Sequence, residues 1–547
     1  MRYFGNSCPS ARVVMSMVAV LLVAGAATAT HPGTWSAKAD LPEVRQNPAV
    51  ELVAGTIYAI GGAGSGDVTA TVYAYDSALD RWDTEAAADM PTPRGLVGSA
   101  VIDDKIYVFG GALNTSEWTA TATAEVYDPA TNTWESLNDM PTARWCPAAA
   151  AVDGKIYVIG GGTGNFAGGW NVHSTVEVFD PATNSWHTAA DMPTARDTLS
   201  VSVLDGHIYA AGGTNQIEAT ATLEIYDPAT DQWTTGSDML IGRDNFATAA
   251  VDGKIYAFGG LFWDADSPYQ NVSEVEVYTP SANTWEKTTR LPDARNGMGV
   301  AVMEGTTYLI GGWDSRFVDT YDPDLYTSWT EVAASLPGAF GSQWRTEICA
   351  ANFNNETANV ELVLHTDTGN VHQTYTIDPS VQKSFADVVG DMGITGKGVL
   401  EFRSDQPLRM AGRTFNDTGD GTFGQFCHFE TMDDGFEAGD LEVWLIGLRQ
   451  EEGLFRTNLI FANTGIREAT MYVSLHRCSG EALTTFIVNL DPGQLDQRLE
   501  PFANEGGEPN LGWGFAKVMV LEGAGIRIST SIIDSRTNDA TTIVAER

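Results

Sequence analysis

Six arginines stand at comparable places in the first half of this 547-residue sequence: Arg45, Arg94, Arg144, Arg196, Arg243 and Arg295. Each opens a strand after a turn, most often one containing Met-Pro or Leu-Pro. A guanidinium is planar and permanently charged, and it forks onto a carboxylate with two parallel hydrogen bonds. Six of them around one mouth would make a basic focus able to grip an acidic ligand, a local exception in a chain of formal charge −40. The other reading pairs them with carboxylates that recur in step, Glu125, Glu177, Glu224 and Glu276, and ties strands together. A second set is aromatic: Trp118, Phe166, Trp170, Phe262, Trp263, Tyr269 and Trp313, with Trp145 beside Arg144. Rings on polar, Gly-rich loops stack on sugar faces or on partner side chains, and Asn165, Asn171, Asp264, Asp266 and Asn271 supply hydrogen-bond partners nearby. The residues expected to bind ligand are therefore Arg94, Arg144, Arg196, Arg243, Arg295, Trp145, Trp170, Trp263 and Trp313.

Catalytic and metal chemistry find less support. His173, His187 and His207 fall at dissimilar places in the repeat, so no convergent triad is evident. Glu218, Asp197 and Asp244, with Arg196 and Arg243, are the candidates for acid/base work. His365 and His476 recur at one place in two later segments without a second ligand at metal spacing, and read as structural or exposed imidazoles. Asn416 to Gly421 has the flavour of a calcium loop but lacks its closing Glu, and reads as a turn. Neither metal nor cofactor is expected.

The elements that must position these groups are repeats. Gly-Gly doublets at 61–62, 110–111, 160–161, 212–213, 259–260 and 311–312 are spaced by 47 to 52 residues. Each ends an alternating apolar segment, as in DKIYVFGG and GKIYVIGG. A variable loop follows, then a second strand such as AEVYDPATNTW. Trp82, Trp134, Trp186, Trp233, Trp285 and Trp329 close the six copies. Short strands separated by Asp-Gly, Asp-Pro and Gly-Gly turns predict a four-stranded antiparallel meander. One such sheet cannot bury both faces, so copies must stack radially. The doublet, the following Tyr and the Trp at fixed offsets resemble the kelch repeat family over about residues 35–335, which implies a six-bladed β-propeller. Trp35 is a surplus, so either the N-terminal strand or the strand at Trp329 completes the last blade. Two enzyme types share that architecture. Copper-radical oxidases need two His and two Tyr, one cross-linked to Cys, whereas Cys146 is the lone cysteine of the repeats. The sialic-acid mutarotase type is similar in layout and implies an acidic sugar held by Arg and carboxylate groups.

After Pro337 the repeat marks stop, and two segments match each other at an offset of 111 residues: Trp344-Arg345-Thr346 with Phe455-Arg456-Thr457, and Ala351-Asn352 with Ala462-Asn463. Their short alternating strands predict two tandem immunoglobulin-like β-sandwich domains. The expected fold class is thus all-β throughout. Its divisions are 1–29, a signal peptide; 30–337, the propeller; 338–432, a first sandwich; 433–440, a Gly- and acid-rich linker; and 441–547, a second sandwich. Arg2 and Arg12, the apolar run Val13 to Ala24 and Ala27-Thr28-Ala29 fit an export leader. Without it the charge is −42, which repels nucleic acid and anionic lipid. Cys146, Cys349, Cys427 and Cys478 are too sparse for a disulfide framework; Cys349 and Cys427 could bridge or remain free. The expectation is a secreted or periplasmic binding protein that takes a glycan or an acidic protein ligand at the propeller mouth, with no membrane insertion after cleavage. The alternatives are an enzyme on an acidic sugar and a structural surface protein. Oligomeric state is not legible.

Overall fold

The computed structural model describes residues 33–544 apart from 65, 166–168, 265–268, 338–342, 367, 418–421, 428–442, 449–454, 478–480, 508, 510–513 and 535–538. The expected leader, the 433–440 linker and Cys478 lie outside the described residues. Strands dominate, and the helical turns described are Val388–Asp391 and Pro501–Asn504.

Each repeat folds as its alternation dictates. The first gives Ala49–Val53, Thr56–Ile60, Val72–Asp76 and Arg81–Asp83, hydrogen-bonded in that order, and the next four copies repeat it. Two-residue turns join the first pair of strands. In Asp153-Gly154 both residues have positive φ, 48° and 73°, the type I′ geometry that matches strand twist. The sixth sheet takes Gly299–Met303, Thr306–Ile310 and Val318–Asp322, and its outermost strand is Thr34–Ala37 from the other end of the segment. The innermost strands meet in sequence, and Gly299–Met303 meets Ala49–Val53, so six four-stranded sheets close a cycle among the described residues.

The strand at Trp329 does not complete the last sheet. Trp35 stands opposite Tyr321, as Trp82 stands opposite Tyr75, Trp134 opposite Tyr127 and Trp285 opposite Tyr278. Trp329 belongs to Tyr326–Pro337, which pairs with Gly396–Ser404. The border expected at Pro337 therefore moves back to about the turn before Tyr326. The sequence misleads here because Trp329 sits at repeat-like spacing while serving a different core.

That next core is double. One unit orders its strands Gly369–Ile377, Ala358–Thr366, Gly396–Ser404 and Tyr326–Pro337. The end of Tyr326–Pro337 pairs with Gln343–Asn352, which continues to Leu408–Asp417 and Thr422–Cys427 and also pairs with Gln382–Phe385, and Leu362, Leu364, Phe402, Ile348 and Met410 share one core. The second unit repeats the order: Ala482–Leu490, Ala469–Arg477, Gly514–Glu522 and Val443–Leu448, against Leu495–Leu499, Phe455–Asn463, Ile526–Asp534 and Asp539–Val544. Matching residues keep matching jobs. Asn352 and Asn463, both fully buried, donate from Nδ2 to the carbonyls of Ile377 and Leu490. Trp329 packs with Val399, Ala462 and Leu495, which joins the two units. His365 is structural: it stacks on Trp329 and bonds Glu401 at 2.9 Å. His476 stacks on Phe515. Cys349 is a free thiol beside Ser384.

Trp35→Ala should destabilise the ring by about 3–5 kcal/mol, the usual cost of emptying a large aromatic site in a core. Urea unfolding of the two single variants checks this, with Trp329→Ala expected to loosen the C-terminal units and spare the ring.

Candidate functional site

The six arginines are inside the sheets. Arg45, Arg94, Arg144, Arg196 and Arg243 have no exposed surface and Arg295 has 3%. Each of the first five sends Nη1 to the carbonyl of the first glycine of its own doublet, as Arg94 does to Gly110 at 2.8 Å and Arg144 to Gly160 at 2.8 Å. Nη2 meets a carboxylate: Arg94–Glu125 2.7 Å, Arg144–Glu177 2.7 Å, Arg196–Glu224 2.8 Å, and Arg243–Glu276. Arg295 pairs with Asp319 at 2.6 Å, and Arg45 with Glu43 at 2.8 Å. Thr92, Thr142 and Thr194 bond the second oxygen of their glutamates. The expected basic ring is thus consumed internally, and none of Arg94, Arg144, Arg196, Arg243 and Arg295 is open to a ligand. A lone buried guanidinium costs too much, so each had to be given a carboxylate.

The same residues join neighbouring sheets. The second glycine of every doublet donates its N–H to the carbonyl of the next arginine, from Gly62 to Arg94 at 2.9 Å round to Gly312 to Arg45 at 2.9 Å. The approach leaves no room for a side chain. A Cβ on Gly110, whose φ is +60°, would lie 2.5 Å from the Arg144 carbonyl oxygen.

Beyond each arginine the chain turns over the mouth of the central channel. Asn47, Leu96, Cys146, Thr198 and Asn245 take φ of 46° to 57° there, and Gly297 takes 69°. Backbone bonds link them across sheets: Asn47 to Gly297, Gly297 to Asn245, Asn245 to Thr198, and Cys146 to Leu96. The residues just before this collar include Trp145, Asp197 and Asp244. Trp145 is 4% exposed and packs with Leu96 and Ala112, so it is core and offers no stacking face, contrary to expectation. Asp197 and Asp244 are almost wholly buried. Burial raises the Asp197 carboxyl to about 7, with the negative charge of Asp244 adding to the rise and Thr198 and Trp170 drawing it back. Burial raises Asp244 to about 6, and the Trp263 Nε1–H that donates to its Oδ2 at 2.7 Å opposes this. The same two carboxylates help hold the buried Cys146 thiol well above its ordinary value.

Outside the collar lie the loops that follow the doublets. Trp170 and Trp263 are half-buried, their indoles turned toward Asp197 and Asp244, and their carbonyls accept from Gln216 and Ala219 of the fourth repeat. The rims are open: Trp313 is 57% exposed, Tyr269 68%, Ile217 67% and Leu113 39%. Tyr269 lies 5.5 Å from Trp263, centroid to centroid. Phe166 and Asp266 lie outside the described residues. The structure therefore brings Trp170, Trp263 and Trp313 to one face and withdraws from it Trp145 and Arg94, Arg144, Arg196, Arg243 and Arg295.

The acid/base candidates separate in the same way. Asp197 and Asp244 stay together, but Arg196 and Arg243 turn into their sheets and Glu218 is exposed on a loop. Among the described residues no His, Cys, Asp or Glu cluster could hold a metal ion. Glu51 escaped the sequence reading. Among the described residues it is the one ionisable side chain lining a channel of about 410 Å³ between the innermost strands. Burial lifts it to about 7, while Ser99 donates to it at 2.6 Å. Its signal was a charge in AVELV, where the sister strands read SAVI and AAAV.

Residues 47–260 match the KLHDC2/KLHL20/DRC7 Kelch-repeats domain, and residues 242–292 the Kelch motif. Over residues 47–292 the ring is therefore similar to kelch-repeat domains. Human Kelch-like protein 34 is 30% identical over 295 residues, which is 50% of this chain and 44% of that protein. Kelch-like protein terF of Aspergillus terreus is 30% identical over 201 residues, 33% and 43% respectively. Beta-scruin of Limulus polyphemus is 27% identical over 191 residues, 34% and 21%. The chain spans less than half the length of these relatives. The solved structure of YjhT aligns with a TM-score of 0.45 at 20% identity, covering 51% of this chain and 95% of that one.

Asp197 and Asp244 set a pH dependence. Their folded pKa values lie above the unfolded value of about 3.9, so the fold binds more protons than the unfolded chain between the two. Their contribution is complete below about pH 4 and is lost as pH rises through about 6 for Asp244 and about 7 for Asp197. Asp197→Asn and Asp244→Asn cannot ionise, so each should flatten the fall and be more stable than the parent at pH 8. Urea midpoints at pH 5 and pH 8 read the difference.

Proposed function

We propose that this protein is a secreted recognition module whose six-bladed propeller binds a partner protein on its loop face, with two sandwich domains carrying that face on the same chain. The observation that carries the reading is the open apolar rim of Leu113, Ile217, Tyr269 and Trp313 above the half-buried Trp170 and Trp263. Exposed apolar groups gathered on one face of an otherwise charged protein mark an interaction surface, and aromatic anchors supply most of the energy of such contacts.

Charge selects the partner. The acidic ligand first expected had the arginine ring as its receptor, and those cations are spent inside the blades. The loops after the doublets hold Asp67, Glu117, Glu218, Asp264 and Asp314 against Arg316, whose guanidinium faces Asp40. A partner presenting apolar side chains among lysines and arginines complements this face and is steered toward it. A glycan is the second reading, supported by the Trp263–Tyr269 pair as a stacking platform. The sugar-converting alternative has less support, since its arginine and carboxylate candidates do not converge.

A peptide array of apolar sequences in basic and acidic versions tests this. The wild-type chain should retain the basic versions, and Tyr269→Ser with Trp313→Ser should weaken them at least about tenfold, since both rings are exposed and leave the fold intact. Retention of the acidic versions, or binding indifferent to the double variant, would contradict the proposal.

A further inference from the structure

The sixth blade departs from the repeat at three places, and one side chain from far along the sequence meets all three. Where earlier repeats have Thr92, Thr142 and Thr194, this one has Asp293. Where they have Glu125, Glu177 and Glu224 it has the shorter Asp319, and where they have Thr123, Thr175 and Thr222 it has Phe317. Two carboxylates thus face the single arginine of the repeat, Arg295, in place of one carboxylate and one hydroxyl.

Arg467, from the turn between Phe455–Asn463 and Ala469–Arg477 of the second C-terminal unit, supplies the missing cation. Its guanidinium bonds the fully buried Asp319, lies 3.2 Å from Asp293 and 3.4 Å from Asp40, and stacks 3.6 Å from the centre of the Phe317 ring. Its neighbour Ile466 packs on the cluster that holds Trp35, Phe258 and Tyr321. This is the blade whose outer strand, Thr34–Ala37, comes from the other end of the propeller and closes the ring.

We infer that the second C-terminal unit is a clasp for the ring-closing blade. The pair Ile466-Arg467 seats in a socket formed by Asp40, Asp293, Phe317 and Asp319, and it keeps the N-terminal strand in place. A buried aspartate that loses its cation is a strong destabiliser, because the charge remains in a desolvated place. Burial and the charge of Asp319 already push the Asp293 carboxyl upward, and Arg295 and Arg467 counter this. The closing strand is the place where such a loss would be felt first, since it has no covalent link to the strand beside it and opening there is local.

Hydrogen exchange of the full chain, read by mass spectrometry, tests the clasp. In Arg467→Ala the segments 34–37 and 318–322 should exchange at least about tenfold faster, with the strands of the second to fourth repeats unchanged. Arg467→Lys keeps the charge without the fork and should give a smaller rise at the same segments. Adding Asp293→Thr to Arg467→Ala, which restores the repeat residue, should recover part of the protection. Unchanged exchange at the seam in Arg467→Ala, an equal rise through all blades in the lysine variant, or no recovery with Asp293→Thr would each overturn the inference.

Discussion

An arginine sealed inside each blade governs this propeller. Its guanidinium meets a carboxylate and, in every blade but the sixth, also takes the carbonyl of a glycine, while its own carbonyl receives the N–H of a glycine from the preceding blade. Blade interior and blade junction therefore meet at one residue. Buried ion pairs are poor sources of net stability but severe when broken, because one partner is left charged in a desolvated place. Their use here is geometric: the clamp sets where the glycine doublet ends its strand and so where every long loop departs.

From that constraint the upper face follows. The residue after the arginine bridges to the residue that follows the doublet, as Asp197 does to Thr214 and Asp244 to Leu261, and the next one, with positive φ, bonds to its neighbour in the adjoining blade. Asp197 and Asp244 are carried into the packed collar, where desolvation holds their protons, and their oxygens meet the indole N–H groups of Trp170 and Trp263. The loops that hang from this collar have one buried edge and one open rim. A rigid base with variable, apolar-tipped loops is a common plan for recognition surfaces.

Much of this was legible in the sequence, because the repeat is long, regular and marked by glycines and tryptophans whose packing admits few substitutes. The glycine doublets located every blade, and Trp35 announced that one strand must come from elsewhere. The arginine ring could be read in two ways, since a guanidinium suits an exposed carboxylate ligand and a buried glutamate equally well. Only the third dimension separates them, although the in-step Glu125, Glu177 and Glu224 already carried the internal reading. Trp145 and Trp313 are both loop tryptophans by sequence, yet one is core and the other open, because that depends on which neighbouring loop covers it. Trp329 copied the repeat spacing from outside the repeat. The Arg467 contact joins residues 148 positions apart, and its trace in the sequence is the set of substitutions in the sixth repeat.

The repeat arginines act as internal clamps, closed to solvent in the native fold. Arginine-selective labelling of the native chain with phenylglyoxal, mapped by mass spectrometry, addresses this directly, with the exposed Arg81 as an internal standard. Arg94, Arg144, Arg196 and Arg243 should stay unmodified while Arg81 reacts, and all should become reactive in denaturant. Modification of those four in the native protein at the rate of Arg81 would contradict this role.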